Sequence, residues 1–551
     1  MSLLGTIQQS KGALDVAQVG LQVVGNNVAN ANTPGYIRQE LQQASAFAVR
    51  DGSLIKGHGV RATGIVQVVD RAHFERVLGA KTAVSGAEAL ETAYSQLEEL
   101  SNDLENRGLS QQLSLFNNAV HELSTQPGDA SLREFVILQG ETLSGNIRNA
   151  REQARERQLA WNGELETVAN EINRLTTRIA KLNLDIATIE GGGLFHSDAT
   201  GLRDQRYRDL EELAQYVDLN IQEQESGTVA VFVGGDYLVN NGLNRLVKSG
   251  YSVELDAQEI RLIETDSPLQ VKGGRLAATA EARDAIFGDY IGNLDRMASA
   301  LIRSVNEVHS QGQGRKGHQQ ILSSEKADAH VPLASAGLPW TPKNGTFDMN
   351  VIDSEGEVIS SHRIKVQNLG QVTDSTISSI VADIDAIAGL SATVTSDGRI
   401  EILSDSHTSS FTFGEDTTGF LAATGINTFF VGRNAIDIQV NETLKNDSDL
   451  LAVSGGGIGE DTDVLANLLD LVDRPRRDLE GRSVRGIYEA TIAGVAQKIS
   501  LQGSEAAGLR DFHATLQSQH LAITGVNIDE ESIKLVTYQR AFQASSRVIS
   551  T

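Results

Sequence analysis

The chain has 551 residues, no cysteine, and 47 Lys and Arg against 72 Asp and Glu, which gives a formal net charge of −25. The length predicts three or four folding units, and the lack of cysteine excludes disulfides, thiol nucleophiles and cysteine-ligated metal sites. Such an acidic chain has little positive charge for a nucleic-acid or anionic-membrane partner, and no apolar run approaches the roughly 18 residues of a membrane span.

The first predicted element is an N-terminal helix that carries one narrow apolar stripe. Its first twelve residues include one lysine and no continuous apolar block, so we expect no cleaved secretion signal. The helix runs into an Asn-rich exit at 26–32 and the tight-turn sequence Thr33-Pro-Gly-Tyr36, which should stop the coil and redirect the chain. The stripe steps by four and three, as in a coiled-coil seam: Leu3, Ile7, Ser10, Leu14, Ala17, Leu21, Val24 and Val28.

The longest predicted helix follows Pro127. Ser131 and Glu134 have the spacing of a capping box, and glycines from Gly191 onward stop the pattern, so we predict one structural helix over 131–190. Its heptad seam consists of Leu165, Val168, Ile172, Leu175, Ile179, Leu182, Ile186 and Ile189.

The middle of the chain is predicted to form antiparallel strands. Between 216 and 268, alternating runs such as 228–233 and 251–255 are separated by Gly-Gly or Asn-Gly turns. After prolines 332, 339 and 342, the segment 345–432 is interpreted as a compact α/β module inserted in a helical rod. Its expected elements are strands around 347–351, 364–366, 392–394 and 400–402, a helix at 375–387 and a hairpin turn at 396–398.

Patterns that could indicate catalysis or metal binding are weak. The segment 312–317 fits GxGxxG but follows a helix-periodic stretch, whereas a dinucleotide loop follows a strand. The acidic loop at 456–461 resembles a single calcium-binding repeat without tandem copies, and neighbouring aspartates 447, 449 and 463 lack the rest of an EF-hand. There is no HExxH and no GxSxG. We therefore expect no enzyme, no cofactor and no metal centre, and leave open whether a cation binds the acidic loops.

The C-terminal helix repeats the stripe of the first helix. Either stripe is too narrow to hold its helix alone. We expect both ends to be mobile in the monomer and to become ordered when the stripes meet each other or neighbouring subunits. The second stripe consists of Ile528, Glu531, Leu535, Tyr538, Phe542, Ser545 and Ile549.

Taken together, these patterns predict a multidomain α+β fold. A long helical coiled-coil or bundle core is built from both termini and carries β-rich segments and an inserted small α/β module. The predicted domains are 1–40 (N-terminal helix and turn), 41–331 (helical bundle with the long helix 131–190 and the β-rich segment 216–275), 332–452 (inserted module), 453–508 (return of the bundle) and 509–551 (C-terminal helix).

Both terminal segments, 26–39 and 525–549, resemble the signatures of bacterial flagellar rod, hook and hook-associated proteins. Segments 202–213 and 411–430 are similar to the hook-associated members at the hook–filament junction. Members of the family generally continue the final helix somewhat beyond Thr551, so the sequence resembles a shortened version. The residues that carry the terminal signatures are Asn27, Asn30, Asn32, Thr33, Pro34, Gly35, Tyr36, Arg38, Gln39, Gln539 and Arg540.

The resemblance implies a structural, self-assembling component of the motility apparatus, exported unfolded by flagellar type III secretion to the extracellular hook–filament junction. The implied partners are hook protein on one side, a second junction protein on the other, further copies in a ring, and a cytoplasmic chaperone at the C-terminal helix. No nucleic acid or membrane is implied. Segment 27–39 would join the inner tube to the helical bundle. The implied assembly interface is Leu3, Ile7, Leu14, Leu21, Val24 and Val28 against Ile528, Leu535, Tyr538, Phe542, Ile549 and neighbouring subunits.

Two other functions stay open from the sequence alone. A secreted coiled-coil adhesin or stalk could carry the α/β module as a binding head, and an enzyme could place hydrolytic carboxylates within 345–432. The charge of −25 per subunit also predicts that copies repel one another in dilute buffer and assemble better at moderate salt, which shortens the screening length to about 8 Å.

Overall fold

A computed structural model describes residues 3–51, 54–101, 108–191, 197–253, 257–371, 373–459, 461–476 and 479–550. The fold is multidomain α+β, with long terminal helices and several small sheets. It divides into two compact units: unit 1 is Met1–Tyr94, Leu159–Asp284 and Ile499–Thr551, and unit 2 is Ser95–Gln158 and Ala285–Lys498. Both chain ends therefore belong to unit 1.

Helices form both ends of the chain and its longest elements. The first half contains α1 (Leu3–Ala29), α2 (Arg71–Ser101), α3 (Leu109–Thr125), α4 (Ala130–Glu190), α5 (Thr200–Leu213), α6 (Gly274–Glu281) and, after a π-helical turn, α7 (Gly288–His309). The second half contains α8 (Ile377–Asp385), α9 (Phe420–Thr424), α10 (Glu442–Asn446), α11 (Asp463–Leu471), α12 (Val484–Thr524) and α13 (Ile528–Ser550).

The strands form small antiparallel sheets. In unit 1 they are β1 (Gln39–Ser45), β2 (Val49–Asp51), β3 (Leu54–Lys56), β4 (Val60–Gln67), β5 (Asn220–Glu223), β6 (Val229–Val233), β7 (Asp236–Asn240), β8 (Leu243–Asn244), β9 (Val247–Ser252) and β10 (Ala257–Leu262). In unit 2 they are β11 (Gln320–Leu322), β12 (Gly345–Ile352), β13 (Val358–Val366), β14 (Leu390–Val394), β15 (Ile400–Ser404), β16 (Ser410–Gly414), β17 (Phe430–Val431) and β18 (Gln439–Val440).

In unit 1 the heptad seam of α4 packs on a four-stranded sheet of order β5-β6-β7-β8. Leu165, Ile172 and Ile179 are fully buried in this core. The predicted seam holds as far as Ile186, whereas Ile189 is 60% exposed, one residue before the helix ends. The start of α4 differs from the prediction, because Asp129 caps the helix by accepting from the amide of Ser131 at 2.7 Å.

The turns of this sheet follow the predicted glycine chemistry. Gly234 and Gly235 both have positive φ between β6 and β7, and Asn241 has φ 54° between β7 and β8. Of the strand predicted at 251–255, Tyr251 and Ser252 form the end of β9, and residues 254–256 lie outside the described part of the chain.

In unit 2 the α/β module has its own core. Two three-stranded sheets, β11-β15-β14 and β13-β12-β16, enclose this core with α8. The α8 helix starts at a capping box formed by Thr376 and Ser379, and Gly398 (φ 84°) makes the predicted hairpin turn. The core already includes Ile321 of β11, which precedes the proline cluster used as the predicted boundary. The domain boundaries therefore stay predictions.

Residues 39–67 differ most from the sequence analysis, which assigned almost all of them to a helical bundle. Instead, β1 and β4 form an antiparallel pair with an irregularity between Gln42 and Gln43, and β2 pairs with β3. The alternation in Gln39–Ser45 is short and mostly polar, so periodicity alone gave little strand signal.

Candidate assembly site at the joined chain termini

The exit of the first helix is organised around Asn27, which is fully buried. Its Nδ2 donates to the backbone oxygen of Gln39 at 2.9 Å and to Oε2 of Glu531 at 2.9 Å. Its Oδ1 accepts from the hydroxyl of Tyr36 at 2.8 Å and from the amide of Gln39 at 3.0 Å. One amide side chain therefore holds the end of α1, the strand that follows it, and the C-terminal helix α13.

The turn after α1 is stabilised by further Asn contacts. Asn30 donates to both the backbone and side-chain oxygens of Asn26 at 3.0 Å, and its own Oδ1 accepts from Thr33 at 3.3 Å. Gly35 has φ 74°, and a Cβ there would lie 2.5 Å from Cδ of Arg208, so the turn requires glycine for both conformation and space.

The C-terminal helix is attached through two consecutive glutamates. Glu531 is fully buried and also accepts from Lys534 at 2.9 Å. The side chain of Arg38 pairs with Glu530 at 3.1 Å, and the backbone amide of Arg38 donates to the backbone oxygen of Thr524 at 2.8 Å. Residues more than 490 positions apart in the sequence thus form one polar cluster.

Helix α5 closes the cluster from a third direction. Asp204 accepts from the amide of Ile37 at 3.3 Å and from the side chain of Gln67, and Thr200 accepts from Nε2 of Gln39 at 3.0 Å. Segment 202–213, which resembles the hook-associated proteins, therefore holds the turn motif in place. We call this set of residues the joint: Asn27, Tyr36, Gln39, Glu531, Thr200 and Asp204.

Burial in the joint changes the proton affinity of two groups. Removal from water raises the pKa of the Asp204 carboxyl to about 6, against an ordinary value of 3.8. Burial, together with the negative charges of Asp204 and Glu531, raises the pKa of the Tyr36 hydroxyl to about 12. Tyr36 therefore stays a hydrogen-bond donor at neutral pH, while Asp204 is the group that titrates in the accessible range.

The remainder of α5 is held by arginines. Arg203 pairs with Glu190 and Glu223, each at 2.7 Å. Arg206 is fully buried and donates to Oδ1 of Asn183 at 3.0 Å and to the backbone oxygen of Gly227 at 2.7 Å. These bonds fix α5 against α4 and the sheet, and so fix the position from which Asp204 reaches the joint.

The two terminal helices pack directly against each other. A Cβ on Gly20 would lie 2.6 Å from Cε1 of Tyr538, so α1 approaches the aromatic ring closely at this point. On another side of α1, a Cβ on Gly12 would lie 2.6 Å from the backbone oxygen of Val60 in β4. The first helix therefore packs against two parts of the described chain, α13 and the β1–β4 pair.

Because of these two neighbours, the buried face of α1 is wider than the predicted stripe and is rotated from it. Val24 is buried, Leu14 and Leu21 are half-buried, and Ile7 and Val28 are each 39% exposed. The side chain of Leu3 lies outside the described residues. The buried face is Ser10, Val16, Ala17, Gly20, Val23, Val24 and Asn27.

On α13 the half-buried positions follow the predicted stripe, at Leu535, Tyr538, Phe542 and Ser545. Ile528 and Ile549, at its ends, are 52% and 42% exposed. Among the residues of the family motif, Gln39 is buried, Asn30, Tyr36 and Arg38 are half-buried, and the rest apart from Asn27 are exposed: Asn32, Thr33, Pro34, Gly35, Gln539 and Arg540. The roles of these residues in an assembly stay a prediction.

The opposite face of α13 is exposed and partly apolar. Ile533 is 69% exposed, Val536 45% and Val548 47%. Ile533 and Val536, three positions apart, lie on the side of α13 away from Tyr538, whereas Val548 lies about 120° round the helix from Val536 and is not part of this face. A second apolar face of this kind could bury itself only against another chain.

Gly20, Thr200 and Asp204 were not predicted from the sequence as parts of the site. Glu531 was assigned to the stripe by its spacing alone, without a partner. A glutamate at a position where the stripe requires an apolar residue was the available signal, since a buried carboxylate needs a nearby donor.

The weak motifs noted in the sequence pair with each other in unit 2. Arg315 of the GxGxxG-like segment contacts Asp449 at 3.3 Å, and Lys316 contacts Asp447. The carboxylate of Asp461 accepts from the amides of Gly455, Gly456 and Asp463, so it is hydrogen-bonded within the loop that contains it. Among the described residues, no group of three or more His, Asp or Glu side chains is placed to hold a metal ion.

The segment 427–430 is anchored by a second buried polar cluster. Nδ2 of Asn427 donates to the backbone oxygens of Ser310 and Gly312, and its own oxygens face ring nitrogens of His309 and His318. Burial lowers the pKa of both histidines to about 4, so both are neutral at pH 7. The cluster therefore joins the end of α7 to the end of the module.

Three family models match this chain. A model described as the helical domain of flagellar hook-associated protein FlgK matches residues 94–321. A flagellar basal body rod protein model matches 7–36, and a model of the C-terminal region of the rod proteins FlgE, FlgF and FlgG matches 517–551. The last two cover the segments that Asn27, Tyr36 and Glu531 join.

Relatives named flagellar hook-associated protein 1 match this chain, and those from Salmonella typhimurium and Escherichia coli match over nearly its whole length. The Salmonella typhimurium protein is 23% identical, with 99% of this chain and 97% of the relative covered. The Escherichia coli protein is 22% identical at the same coverage. The Bacillus subtilis protein is 25% identical over 57% of this chain and 68% of the relative.

One solved structure has a similar fold. The flagellar hook junction protein FlgK from Burkholderia pseudomallei superposes with a TM-score of 0.51 at 14% identity, over 82% of this chain and all of that chain. Within the described part of our chain, no helix is both long and apolar enough to cross a membrane.

Proposed function

We propose that this chain, which is similar to flagellar hook-associated protein 1 over nearly its whole length and is a structural component of the bacterial flagellum at the hook–filament junction, assembles there through its joined terminal helices. The observation that carries this proposal is the joint. It commits the two chain ends to each other through buried hydrogen bonds, and it leaves an apolar face of α13 uncovered.

The two faces of α13 differ in burial, and this difference supports the proposal. The face with Leu535, Tyr538 and Phe542 packs within the chain. On the other face, Ile533 and Val536 are 69% and 45% exposed in a single subunit, so burial of the exposed part would gain roughly 0.7–2 kcal/mol for each side chain. Contacts between copies of α13, or between α13 and the helices of the hook, would supply that burial.

The finer points of this function follow from the same proposal. The subunit would be exported unfolded through the flagellar type III apparatus, and its two ends would pair with each other after export. It would form a ring with hook protein on one side and a second junction protein on the other. A cytoplasmic chaperone would cover the exposed apolar face of α13 before export, because such a face promotes premature association.

A double substitution on the exposed face of α13 tests the proposal. Ile533→Asp with Val536→Asp places two charges where we expect an apolar contact, while both side chains point away from the joint. We expect the affinity for purified hook fragments, measured by co-sedimentation, to fall at least tenfold, since the two burials together are worth more than about 1.4 kcal/mol.

A matched pair on the α/β module provides the control. Val358 and Ile359 of β13 are 55% and 62% exposed, so Val358→Asp with Ile359→Asp makes the same chemical change at similar exposure. We expect this variant to bind hooks as the parent does. Undiminished binding by the α13 variant would refute assembly through this face, as would an equal loss in both variants.

A further inference from the structure

Two buried histidines of unit 2 hold together stretches of the chain that lie far apart in the sequence. His309 is the last residue of α7, and His318 lies two residues before β11. Asn427 directly follows the core of the α/β module, and Ala452 lies beyond α10. We call His309, His318, Asn427 and Ala452 the latch, and all four are buried.

The hydrogen bonds of His309 require a neutral imidazole. Its Nδ1 lies 2.9 Å from the backbone oxygen of Asn427, which can only accept, so Nδ1 carries a proton and donates. Its Nε2 accepts from the backbone amide of Ala452 at 3.1 Å, so Nε2 carries no proton. A protonated imidazole has a donor on both nitrogens and would lose the bond to Ala452.

The environment of His318 has no acceptor for an added proton either. The side-chain nitrogen of Asn427 donates to the backbone oxygens of Ser310 and Gly312 at 3.1 and 3.0 Å, which fixes the orientation of this amide. Oδ1 of Asn427 therefore accepts from Nε2 of His318 at 3.2 Å. Nδ1 of His318 is buried without a hydrogen-bond partner among the described residues, so a proton there would be a buried charge without an acceptor.

The groups that face the latch do not compensate a positive charge on it. The His309 ring lies 5.8 Å from the ring of Phe429, and the His318 ring lies beside two phenylalanine rings of β16. Two charged groups act on His318, the carboxylate of Asp447 and the ammonium of Lys316, and these two pair with each other. The titratable neighbour that acts on His309 is His318, which opposes a second positive charge.

Backbone bonds extend the latch along the segment that contains Ala452. The amide of Gln313 donates to the backbone oxygen of Ser454 at 2.8 Å, and the backbone oxygen of Gln313 accepts from the amide of Val453 at 2.9 Å. Segment 451–454 is therefore attached to residues 309–313 by the His309 side chain and by these backbone bonds.

We propose that the latch is an acid-operated switch, which holds segment 451–454 against residues 309–313 at neutral pH and releases it when both histidines are protonated. Release brings the two imidazoles into water, where each can carry a proton on both nitrogens. Asn427 couples the two histidines, because it bonds to both of them and to the backbone between them. This switch is separate from assembly through α13.

The direction of the pH effect follows from the closed and open states. Burial lowers the pKa of each histidine to about 4 in the closed latch, against an ordinary value of 6.5. The closed state is therefore most stable above pH 6.5, and its stability falls as the pH drops towards 4, because the open state takes up protons. Between pH 7 and pH 5, each histidine should make opening about 20-fold more favourable, and the two together roughly 400-fold.

Hydrogen–deuterium exchange of the full chain at pH 7 and pH 5 tests the proposal. After correction for the intrinsic pH dependence of exchange, we expect peptides that cover Gln313 and Ala452 to lose protection by at least about a hundredfold. Peptides of α8, in the core of the α/β module, should keep their protection. A smaller loss at Ala452 would overturn the proposal. An equal loss in α8 would overturn it as well, since acid would then act on the whole unit.

A glutamine at position 318 separates titration from hydrogen bonding. In His318→Gln the amide nitrogen can take the place of Nε2 and donate to Asn427, but the side chain takes up no proton. We expect the loss of protection between pH 7 and pH 5 to be about 20-fold smaller than in the parent. His330→Gln, at an exposed histidine of the same unit, should behave as the parent. An unchanged pH dependence in His318→Gln would refute a switch that includes both histidines, and the comparison within the parent decides the proposal even where a substitution disturbs folding.

Discussion

Removal of the Asn27 side chain should open the joint more than any other single truncation at this site. Asn27→Ala deletes four hydrogen bonds and leaves the amide and carbonyl of Gln39, the hydroxyl of Tyr36 and the carboxylate of Glu531 without this partner. Each buried group left unpaired costs about 1–3 kcal/mol, and a charged group costs more. Because Tyr36 is half-buried and can reach water, we expect a total of about 3–6 kcal/mol.

Hydrogen–deuterium exchange read by mass spectrometry is the suitable assay. A chain with two compact units does not unfold in a single two-state step, so a global melting temperature would not isolate the joint. We expect exchange in peptides that cover Gln39 and Glu531 to accelerate by about 10²–10⁴-fold, since about 1.4 kcal/mol corresponds to a factor of ten.

Two further variants make the result interpretable. Asn32→Ala alters an exposed residue of the same Asn-rich segment and should leave exchange unchanged. Asn27→Ala combined with Glu531→Leu removes the orphaned carboxylate together with its partner, so it should be less destabilised than the sum of the two single variants. Exchange rates in Asn27→Ala within threefold of the parent would refute the reasoning, and strictly additive effects would refute the direct coupling.

Two other predictions concern acidity and packing in unit 1. Because burial raises the pKa of Asp204 to about 6, the ionised form disfavours the folded state, and this group should lower stability as pH rises from about 4 to 7. Asp204→Asn should remove that slope and stabilise the joint by about 1–2 kcal/mol at pH 7, with partial solvent screening of the carboxyl taken into account, measured by hydrogen exchange across pH. Gly20→Ala should destabilise the protein by about 1–3 kcal/mol, because the new methyl group overpacks against Tyr538. A Cβ on Gly25 would meet nothing within 4 Å, so Gly25→Ala should add about 0.5–1 kcal/mol of helix stability. Both effects are measured by the same hydrogen exchange.

Each of these predictions has its own comparison. Both hydrogen bonds to Asp204 end on Oδ1, so the side-chain oxygen of an asparagine can accept them as well. If the stability of Asp204→Asn and of the parent changed in parallel between pH 4 and 7, titration of Asp204 would be excluded as a source of the pH dependence. The two glycine variants differ only in what the new methyl group meets, and effects of the same sign would exclude close packing as the cause.

Periodicity predicted the helices well because their repeat is long and regular. The heptad seam that predicted 131–190 corresponds to α4, Ala130–Glu190, and the glycine and Asn-Gly turns between β6, β7 and β8 were also predicted. In these elements the local sequence and the tertiary environment favour the same structure.

The joint could be predicted only in part. Composition at 26–36 indicated a helix exit and a turn, and the structure has both. The partners of Asn27 and Gln39 could not be found in this way, because Glu531 lies 504 positions from Asn27, and Thr200 lies 161 positions from Gln39. A hydrogen bond between two polar side chains leaves no periodic pattern in either segment.

The buried polar network also explains how two repetitive stripes find one register. Apolar residues spaced by four and three can slide by seven positions and still bury similar area, so the stripes of α1 and α13 alone do not fix their alignment. Glu531 removes that freedom, because any shifted pairing would bury its carboxylate without Asn27. In a polymer of identical subunits, the ends of each chain would therefore pair correctly within the chain, while the apolar face around Ile533 remains free to repeat the same contact from copy to copy.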